Sequence, residues 1–299
     1  MFFQRRHLAA AIGGLLLSCA AHAGKLAIVI DDFGYRPSEE NKVLQMPAAI
    51  SVAVLPNAPA ARQMAIKAHQ GGHEVLIHLP MAPLSKQPLE KDTLTPEMSS
   101  EEIARILRSA VNSVPYAVGL NNHMGSKMTS SLPGMVKVMQ ALNQYNFYFL
   151  DSMTIGNSQS IPAAQGTHVK VLKRRVFLDD SQDINAIRQQ FTRAVKLAQR
   201  DGYAIAIGHP HPNTVRVLQQ MLPTLPADIT LVRPSQLLNE PLRSGTSPVK
   251  PPSRPSKPTF QPPGVCKVQP QPVPATKVFE AVWESASQSV VVRELKQLF

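Results

Sequence analysis

Two adjacent carboxylates, Asp31 and Asp32, follow an apolar run at residues 25–30. A short apolar run that ends in polar residues is typical of a buried parallel strand. Acidic residues at such a strand end can hold a metal ion or act as a base, or they can serve only as turn formers and helix caps. The pair alone does not choose between these interpretations.

Titratable or hydrogen-bonding residues follow later apolar runs as well: His78; Asn121, Asn122 and His123; Asp151 and Ser152; Asp179 and Asp180; and His209 with His211. Because parallel barrel strands end on one face, the whole set is predicted to share a pocket there. For Asp179, Asp180 and Asn121, turn formation is the preferred interpretation. His69 and His73 precede a strand and are predicted to be structural or surface residues.

One carboxylate and two imidazoles form a ligand set for a divalent transition metal, and Asp32, His78 and His123 supply it. Such a metal leaves positions open for water. Asp31 is then expected to act as a general base, and His209 to protonate the leaving group. His211 is expected to shape the loop around His209.

The predicted elements alternate between strands and helices. Strands are predicted at residues 25–30, 50–55, 75–77, 117–120, 147–150, 176–178, 204–207 and 229–232. Helices are predicted at residues 58–70, 99–114 (opened by a capping box), 132–145, 184–200 and 214–222. This alternation indicates a parallel sheet, either open and doubly wound or closed, and about eight units favour a barrel.

Residues 1–23 are predicted to be a cleaved signal peptide, because two arginines precede a short apolar run and Ala21 and Ala23 flank His22. A membrane span, a lipoprotein signal and a twin-arginine signal are the less favoured alternatives. Removal of these residues lowers the formal net charge from +11 to +9 and leaves Cys266 as the single cysteine. The mature protein is therefore expected in the periplasm without an internal disulfide.

Proline dominates residues 243–276, which are predicted to be a disordered basic linker. Residues 277–299 form a tail that could contain a short amphipathic helix. From residue 243 onward, eight Lys or Arg face three Glu. This charge suits an anionic envelope surface or a protein partner, although solubility explains it equally well. Nucleic-acid binding is not expected, because the sequence contains no module for it.

Several motifs resemble those of the NodB-type polysaccharide deacetylases. Residues 30–34 resemble the first motif of that family, residues 72–78 the lead-in to the second, and residues 207–209 the last. Residues 78–81, 122–126, 151–154 and 208–210 are similar, in combination, to the divergent branch of the family. The resemblance covers roughly residues 25–240.

The resemblance implies a distorted (β/α) barrel of seven or eight strand-helix units over residues 24–242. It also implies a metal-dependent deacetylase, most simply with zinc and alternatively with nickel or cobalt, acting on an acetylated glycan or a peptidoglycan-type substrate. In that family the residues that match Asp31, Asp32 and His209 are the base, a metal ligand and the acid.

Two departures from the family pattern matter. Ala82 stands where the second motif has another metal-binding His, and the Arg- and Pro-containing third motif is replaced by residues 122–126. We hypothesise that His123 supplies the missing imidazole. Beside the metal, the substrate or the groups that hold it are expected to contact a further set of residues: Asn122, Asp151, Ser152 and His211.

The missing His leaves two alternatives open. The barrel could have lost catalysis and act as a glycan-binding or scaffold protein. It could also be a metal-dependent hydrolase of another ester or amide, because the ligand set does not select the acyl group.

Overall fold

The computed structural model describes residues 23–242. The predicted signal peptide, apart from Ala23, lies outside the described residues, as do the linker at 243–276 and the tail at 277–299. Among the residues described, none of the helices combines the length and the apolar character needed to cross a bilayer.

The described residues alternate between strands and helices, as the sequence predicts. The strands are β1 (Gly24–Phe33), β2 (Ser51–Val54), β3 (Val75–Met81), β4 (Ala117–Met124), β5 (Tyr148–Asp151), β6 (Val171–Lys173), β7 (Val176–Phe177), β8 (Tyr203–Gly208) and β9 (Ile229–Leu231). The helices are α1 (Pro37–Val43), α2 (Ala61–Gln70), α3 (Ser100–Ser113), α4 (Ser126–Thr129), α5 (Leu132–Leu142), α6 (Ser160–Ala163), α7 (Ile184–Asp201) and α8 (Pro212–Met221).

All strand pairs are parallel and form one sheet in the order β6-β5-β4-β3-β2-β1-β8-β7, with β9 also paired to β1. The two edge strands, β6 and β7, are separated in the chain by Arg174 and Arg175 alone. Three Cα–Cα steps span at most about 11 Å, so the sheet must curl until its edges approach each other. This curled sheet confirms the predicted distorted barrel.

The strands are buried on both faces. Inside the barrel lies a cluster of apolar side chains that includes Ala27, Val29, Leu76, Ile205 and Ile207. The alternate residues of the same strands, such as Leu26 and Ile28, belong to the larger core between the sheet and the helices. Because successive side chains of a strand point to opposite faces, this division fixes which residues face inward.

Strands β3 and β4 are longer than predicted. The apolar runs stop at residues 77 and 120, whereas the strands continue to Met81 and Met124, so that His78 and His123 lie within strands. The cause is that hydrogen-bonded polar side chains replace apolar ones on the inward face near the barrel mouth. Strand β6 and helix α1 were not predicted, because both are short. Ser99 caps α3, as expected from its capping box.

Candidate metal centre

Two-residue periodicity carries polar side chains into the barrel mouth. On β1, Asp31 follows the inward-facing Ala27 and Val29, and on β3 His78 follows Leu76. In the same way, His209 follows the inward-facing Ile205 and Ile207 of β8. Inward-facing side chains on strands from around the barrel therefore converge at the carboxyl ends of the strands, as the sequence predicts.

Asp32 reaches the same mouth by a different route. Alternation would turn its side chain toward the helices, but its backbone has a left-handed φ of 58°, and the register between β1 and β2 shifts across this point. A left-handed non-glycine residue is sterically disfavoured, although Asp tolerates it better than most residues. This turn brings the carboxylates of two successive residues, Asp31 and Asp32, close to His78 Nε2.

Asp32, His78 and His123 form a triangle of potential ligand atoms. Asp32 Oδ1 lies 3.2 Å from His78 Nε2 and 3.1 Å from His123 Nδ1, and the two nitrogens are 3.1 Å apart. An ion about 2.0–2.2 Å from each atom fits this triangle. Asp32 Oδ1 is buried and accepts no well-oriented hydrogen bond, so a cation would supply the partner that this oxygen lacks.

Asn121 fixes the tautomer of His78. Its Nδ2 donates to Asp31 Oδ1 at 2.8 Å, so its Oδ1 must face His78 Nδ1, also at 2.8 Å. The amide oxygen only accepts, and Nδ1 of His78 therefore carries the proton. In the neutral ring, Nε2, the nitrogen in the triangle, therefore presents a lone pair, which is the form of His that binds a metal.

Glu90 has a corresponding place beside His123. Its Oε1 lies 3.6 Å from His123 Nε2, the nitrogen that points away from the triangle. When a metal occupies the triangle, this carboxylate is placed to face the proton on the outer nitrogen while Nδ1 serves as the ligand. Burial alone would lower the pKa of His78, but Asp31 and Asp32 outweigh it and raise the pKa. A cation bound at the triangle would therefore compete with a proton for the His78 nitrogen.

The two carboxylates of β1 have opposite electrostatic environments. Asp31 is buried, and the loss of hydration raises its pKa above the ordinary value, despite the opposing effect of His78. For Asp32, burial also favours the neutral form, but His123 and His78 outweigh it and hold its pKa well below the ordinary range. Asp31 is therefore the more basic carboxylate, and Asp32 the one that remains charged.

His209 forms a dyad with Asp179. Its Nδ1 donates to Asp179 Oδ1 at 3.0 Å, while Asp179 Oδ2 accepts from the His209 backbone N–H and from Thr214 Oγ1, both at 2.7 Å. Burial alone would lower the pKa of His209, but Asp179 outweighs it and the pKa rises to about 9. Nε2 of the ring lies 3.8 Å from Asp32 Oδ2 and therefore faces the triangle of potential ligand atoms.

A cavity of about 390 Å³ opens over Asp31, His78, His123 and His209. Arg174 forms part of its wall, and its Nε and Nη2 donate to the carbonyls of Ser152 and Met153 at 2.6 and 2.8 Å. Its guanidinium also lies 5.0 Å from the centre of the Phe177 ring. Arg174 therefore holds the backbone of the wall in place and brings a cation to the cavity.

Asn122 and Ser152 also line this cavity, but their polar groups bind each other. Ser152 N–H donates to Asn122 Oδ1, and Ser152 Oγ donates to the Asn122 carbonyl, both at 2.9 Å. Asp151 is further from the cavity: its carboxylate accepts from Met153 N–H and from the hydroxyls of Ser158 and Ser160. These contacts shape the β5 loop.

His211 lies in a neighbouring cavity of about 200 Å³ that also touches Asp32, Glu90 and His209. Its Nδ1 accepts a hydrogen bond from Arg36 Nη1 at 2.8 Å. Asp179, His209 and His211 form a second group of potential metal ligands. In this group both Asp179 oxygens already accept hydrogen bonds, so the Asp32 triangle is the better candidate.

Sequence reasoning undervalued three residues of the site. Asn121 and Asp179 were interpreted as turn residues, and Arg174 was not singled out. The two-residue period places them once the inward-facing residues are known: Asn121 follows Gly119 by two on β4, Arg174 follows Leu172, and Asp179 follows Phe177. His73, by contrast, lies away from the mouth, where its ring nitrogens contact the carbonyls of Ile50 and Leu44.

Comparison with known proteins agrees with the resemblance of the motifs. The sequence profile of the family "Divergent polysaccharide deacetylase" matches residues 28–238. The uncharacterised protein YibQ of Escherichia coli K12 is 65% identical over 296 residues, covering 98% of this chain and 92% of YibQ. An uncharacterised protein of Haemophilus influenzae is 45% identical over 208 residues, covering 70% of this chain and 74% of that protein.

Among solved structures, an uncharacterised protein of Agrobacterium tumefaciens C58 has a similar fold. The TM-score is 0.67 at 19% identity, over 73% of this chain and 90% of that chain. At this level of identity the likeness concerns the fold alone.

Proposed function

Because the chain belongs to the divergent polysaccharide deacetylase family, we propose that it is a metal-dependent hydrolase that removes acetyl groups from an N-acetylated envelope glycan. The observation that carries the proposal is the arrangement around the ligand triangle. Asp31 Oδ2 lies 3.6 Å from His78 Nε2, and His209 Nε2 lies 3.8 Å from Asp32 Oδ2, the carboxylate oxygen outside the triangle. A base and an acid therefore stand beside two different residues of the triangle.

Two imidazole nitrogens and one carboxylate oxygen are a donor set suited to Zn²⁺, and also acceptable to Ni²⁺ or Co²⁺. When bound at Asp32, His78 and His123, such an ion would polarise a water molecule and the acetyl carbonyl.

Asp31 is suited to take up a proton at Oδ2, because Asn121 occupies only its Oδ1. Burial makes its carboxylate more basic than an exposed one. Asn121 also links Asp31 to His78, so one amide orients the base and a metal ligand together. We assign Asp31 as the general base.

His209 is suited to deliver a proton from Nε2 to the departing amine. Asp179 holds Nδ1–H and raises the pKa, so the ring is protonated at neutral pH. The amine of a sugar leaves readily only when it is protonated, which makes an acid necessary at this position. We assign His209 as the general acid and Asp179 as the residue that orients it.

The cavity supports a carbohydrate substrate. Its volume of about 390 Å³ is enough for one sugar ring with its acyl group. Polar side chains predominate on its walls, with Phe177, Met124 and Met153 as apolar surfaces. Such a mixed lining suits sugars, whose faces are apolar and whose edges are polar.

The test is the release of acetate by the zinc-loaded full chain from acetylated chitooligosaccharides and peptidoglycan fragments. We expect release by the wild type, and a loss of about 100-fold or more in Asp31→Asn and His209→Ala with the zinc content retained. His69→Ala, on the far side of the barrel, is the matched control. Equal release by all four proteins would contradict the assignment.

A non-catalytic glycan-binding or scaffold barrel is the second candidate, because Ala82 replaces a family metal ligand. Sugar binding without zinc uptake would favour it. A chain that takes up zinc and cleaves simple acetyl esters, but releases no acetate from glycans, would instead be a hydrolase of another substrate.

We also propose that the protein acts in the periplasm after removal of residues 1–23, with the basic tail beyond residue 242 contacting an anionic envelope surface or a partner. The sequence patterns support this placement. Determination of the mature N-terminus from a periplasmic fraction tests it, and retention of Met1 in the cytoplasm would contradict it.

A further inference from the structure

A third cavity lies on the outside of the barrel, next to the junction between its two edge strands. Only Arg174 and Arg175 connect β6 to β7, so no crossover helix covers this part of the barrel. Beside it, α7 borders a groove of about 800 Å³. Seven of the eight residues that line this outer groove are polar or charged: Arg175, Arg188, Gln189, Thr192, Arg193, Lys196, Leu197 and Arg200.

The outer groove is strongly basic. Helix α7 contains no acidic residue before Asp201, its last residue. Arg175 and Arg200 share the carboxylate of Asp201, whereas Arg188 donates to the neutral amide of Gln220. In the part of the chain that the structure describes, Arg193 and Lys196 have no carboxylate within 4.0 Å. One acidic group therefore faces five cations.

The composition of the groove argues against a protein partner. Protein interfaces are anchored by buried apolar or aromatic side chains, and Leu197 is the only apolar residue of this lining. The chain's own tail is also unsuited, because the residues from 243 onward carry eight Lys or Arg against three Glu. The occupant must bring negative charge and needs little apolar contact.

We propose that the outer groove binds a phosphate-bearing polymer chain. Four of its five cations are arginines, whose planar guanidinium groups bind phosphate in a bidentate manner. Arg188 and Arg200 are twelve residues apart on α7, so the row of cations extends about 18 Å along the helix. This length matches several successive phosphates of an extended chain, and the concave shape suits a chain better than a flat bilayer surface.

The experiment measures the affinity of the full-length protein for long-chain inorganic polyphosphate, and separately its binding to phosphatidylcholine vesicles that contain phosphatidylglycerol. The test variant is Arg193→Glu with Lys196→Glu, two exposed residues of the groove. The matched control is Arg62→Glu with Lys67→Glu, two exposed residues of α2 that give the same change in net charge. Arg193→Gln with Lys196→Gln is a milder second variant, and circular dichroism checks the folding of each.

We expect the groove variant to weaken polyphosphate binding by about tenfold or more at low salt, and the glutamine variant by less in the same direction. The control should change it by less than about threefold. Equal weakening by the two glutamate pairs, or no binding by the wild type, would overturn the proposal. A loss of vesicle binding with unchanged polyphosphate binding would overturn it in favour of a membrane surface.

Discussion

The Nδ1 atom of His123 lies 3.1 Å from the Nε2 atom of His78, on the neighbouring strand. Asn121 holds one proton of the His78 ring on Nδ1, and Glu90 lies 3.6 Å from the outer nitrogen of His123. Two lone pairs at this distance repel each other unless a proton or a cation lies between them. The pair therefore needs a proton or a cation between the rings, and a metal ion at the triangle would take the place of that proton.

The first prediction concerns the contribution of His123. We expect His123→Ala to lower the zinc affinity by about 100-fold or more, because one of three ligand atoms is lost. Plasma mass spectrometry of protein purified without a chelator or a metal-affinity tag gives the metal content, and competition with a chelating dye gives the affinity. His69→Ala should retain the wild-type value. Unchanged zinc binding in His123→Ala would exclude this ligand set.

The second prediction concerns Asn121, which is fully buried between Asp31 and His78. In Asn121→Leu the His78 ring loses the acceptor that holds its proton on Nδ1, and we expect zinc affinity to fall by about 10–100-fold. Nitrogen NMR of labelled histidine should show a mixture of His78 tautomers in the metal-free variant. Asn57→Leu, in an exposed loop, is the control. A variant with a single Nδ1–H tautomer would show that Asn121 does not set it.

The third prediction concerns the pH dependence of the metal-free protein. The folded-state pKa of His209 is about 9, against an ordinary value of 6.5. Protonation therefore stabilises the folded chain by an amount that is complete below pH 6.5 and is lost as the pH rises through about 9. The amount is about 3 kcal/mol.

In Asp179→Asn the pKa of His209 should fall toward its ordinary value, so this loss of stability between pH 6.5 and 9 should disappear. Urea denaturation of both proteins across this range, with a chelator present, measures the difference. His168→Asn is the control for a change elsewhere on the surface. Parallel stability curves for wild type and Asp179→Asn would refute the dyad.

The fourth prediction concerns Gly34, two residues after Asp32. Its φ is +115°, and a Cβ added there would lie 2.5 Å from the Ala58 Cβ. Gly34→Ala should therefore destabilise the fold by about 2–5 kcal/mol, through backbone strain and overpacking together. Gly156→Ala, where an added Cβ meets nothing within 4 Å, should change stability little. Similar unfolding midpoints for the two variants would contradict this explanation.

The sequence was sufficient to predict the parallel barrel, because runs such as residues 204–207 are apolar on both faces and alternate with helical patterns. Because both faces of these strands are apolar, the sequence does not show which side chains point into the barrel. The turn interpretation of Asn121 and Asp179 was wrong for this reason, since only the inner apolar cluster shows which alternate residues face the mouth. The inward orientation of the Asp32 side chain could not be predicted from strand alternation, because its left-handed backbone breaks that alternation.

The hydrogen bond between Asn121 and Asp31 crosses the interior of the barrel. Along the sheet, β4 is three strands away from β1, an arc of about 14 Å at ordinary strand spacing, yet the two side chains meet at 2.8 Å. Only a tightly curved sheet brings them together, so any flattening of the barrel would separate Asp31, the proposed base, from Asn121, which orients it. The geometry of this site is therefore determined by the curvature of its sheet.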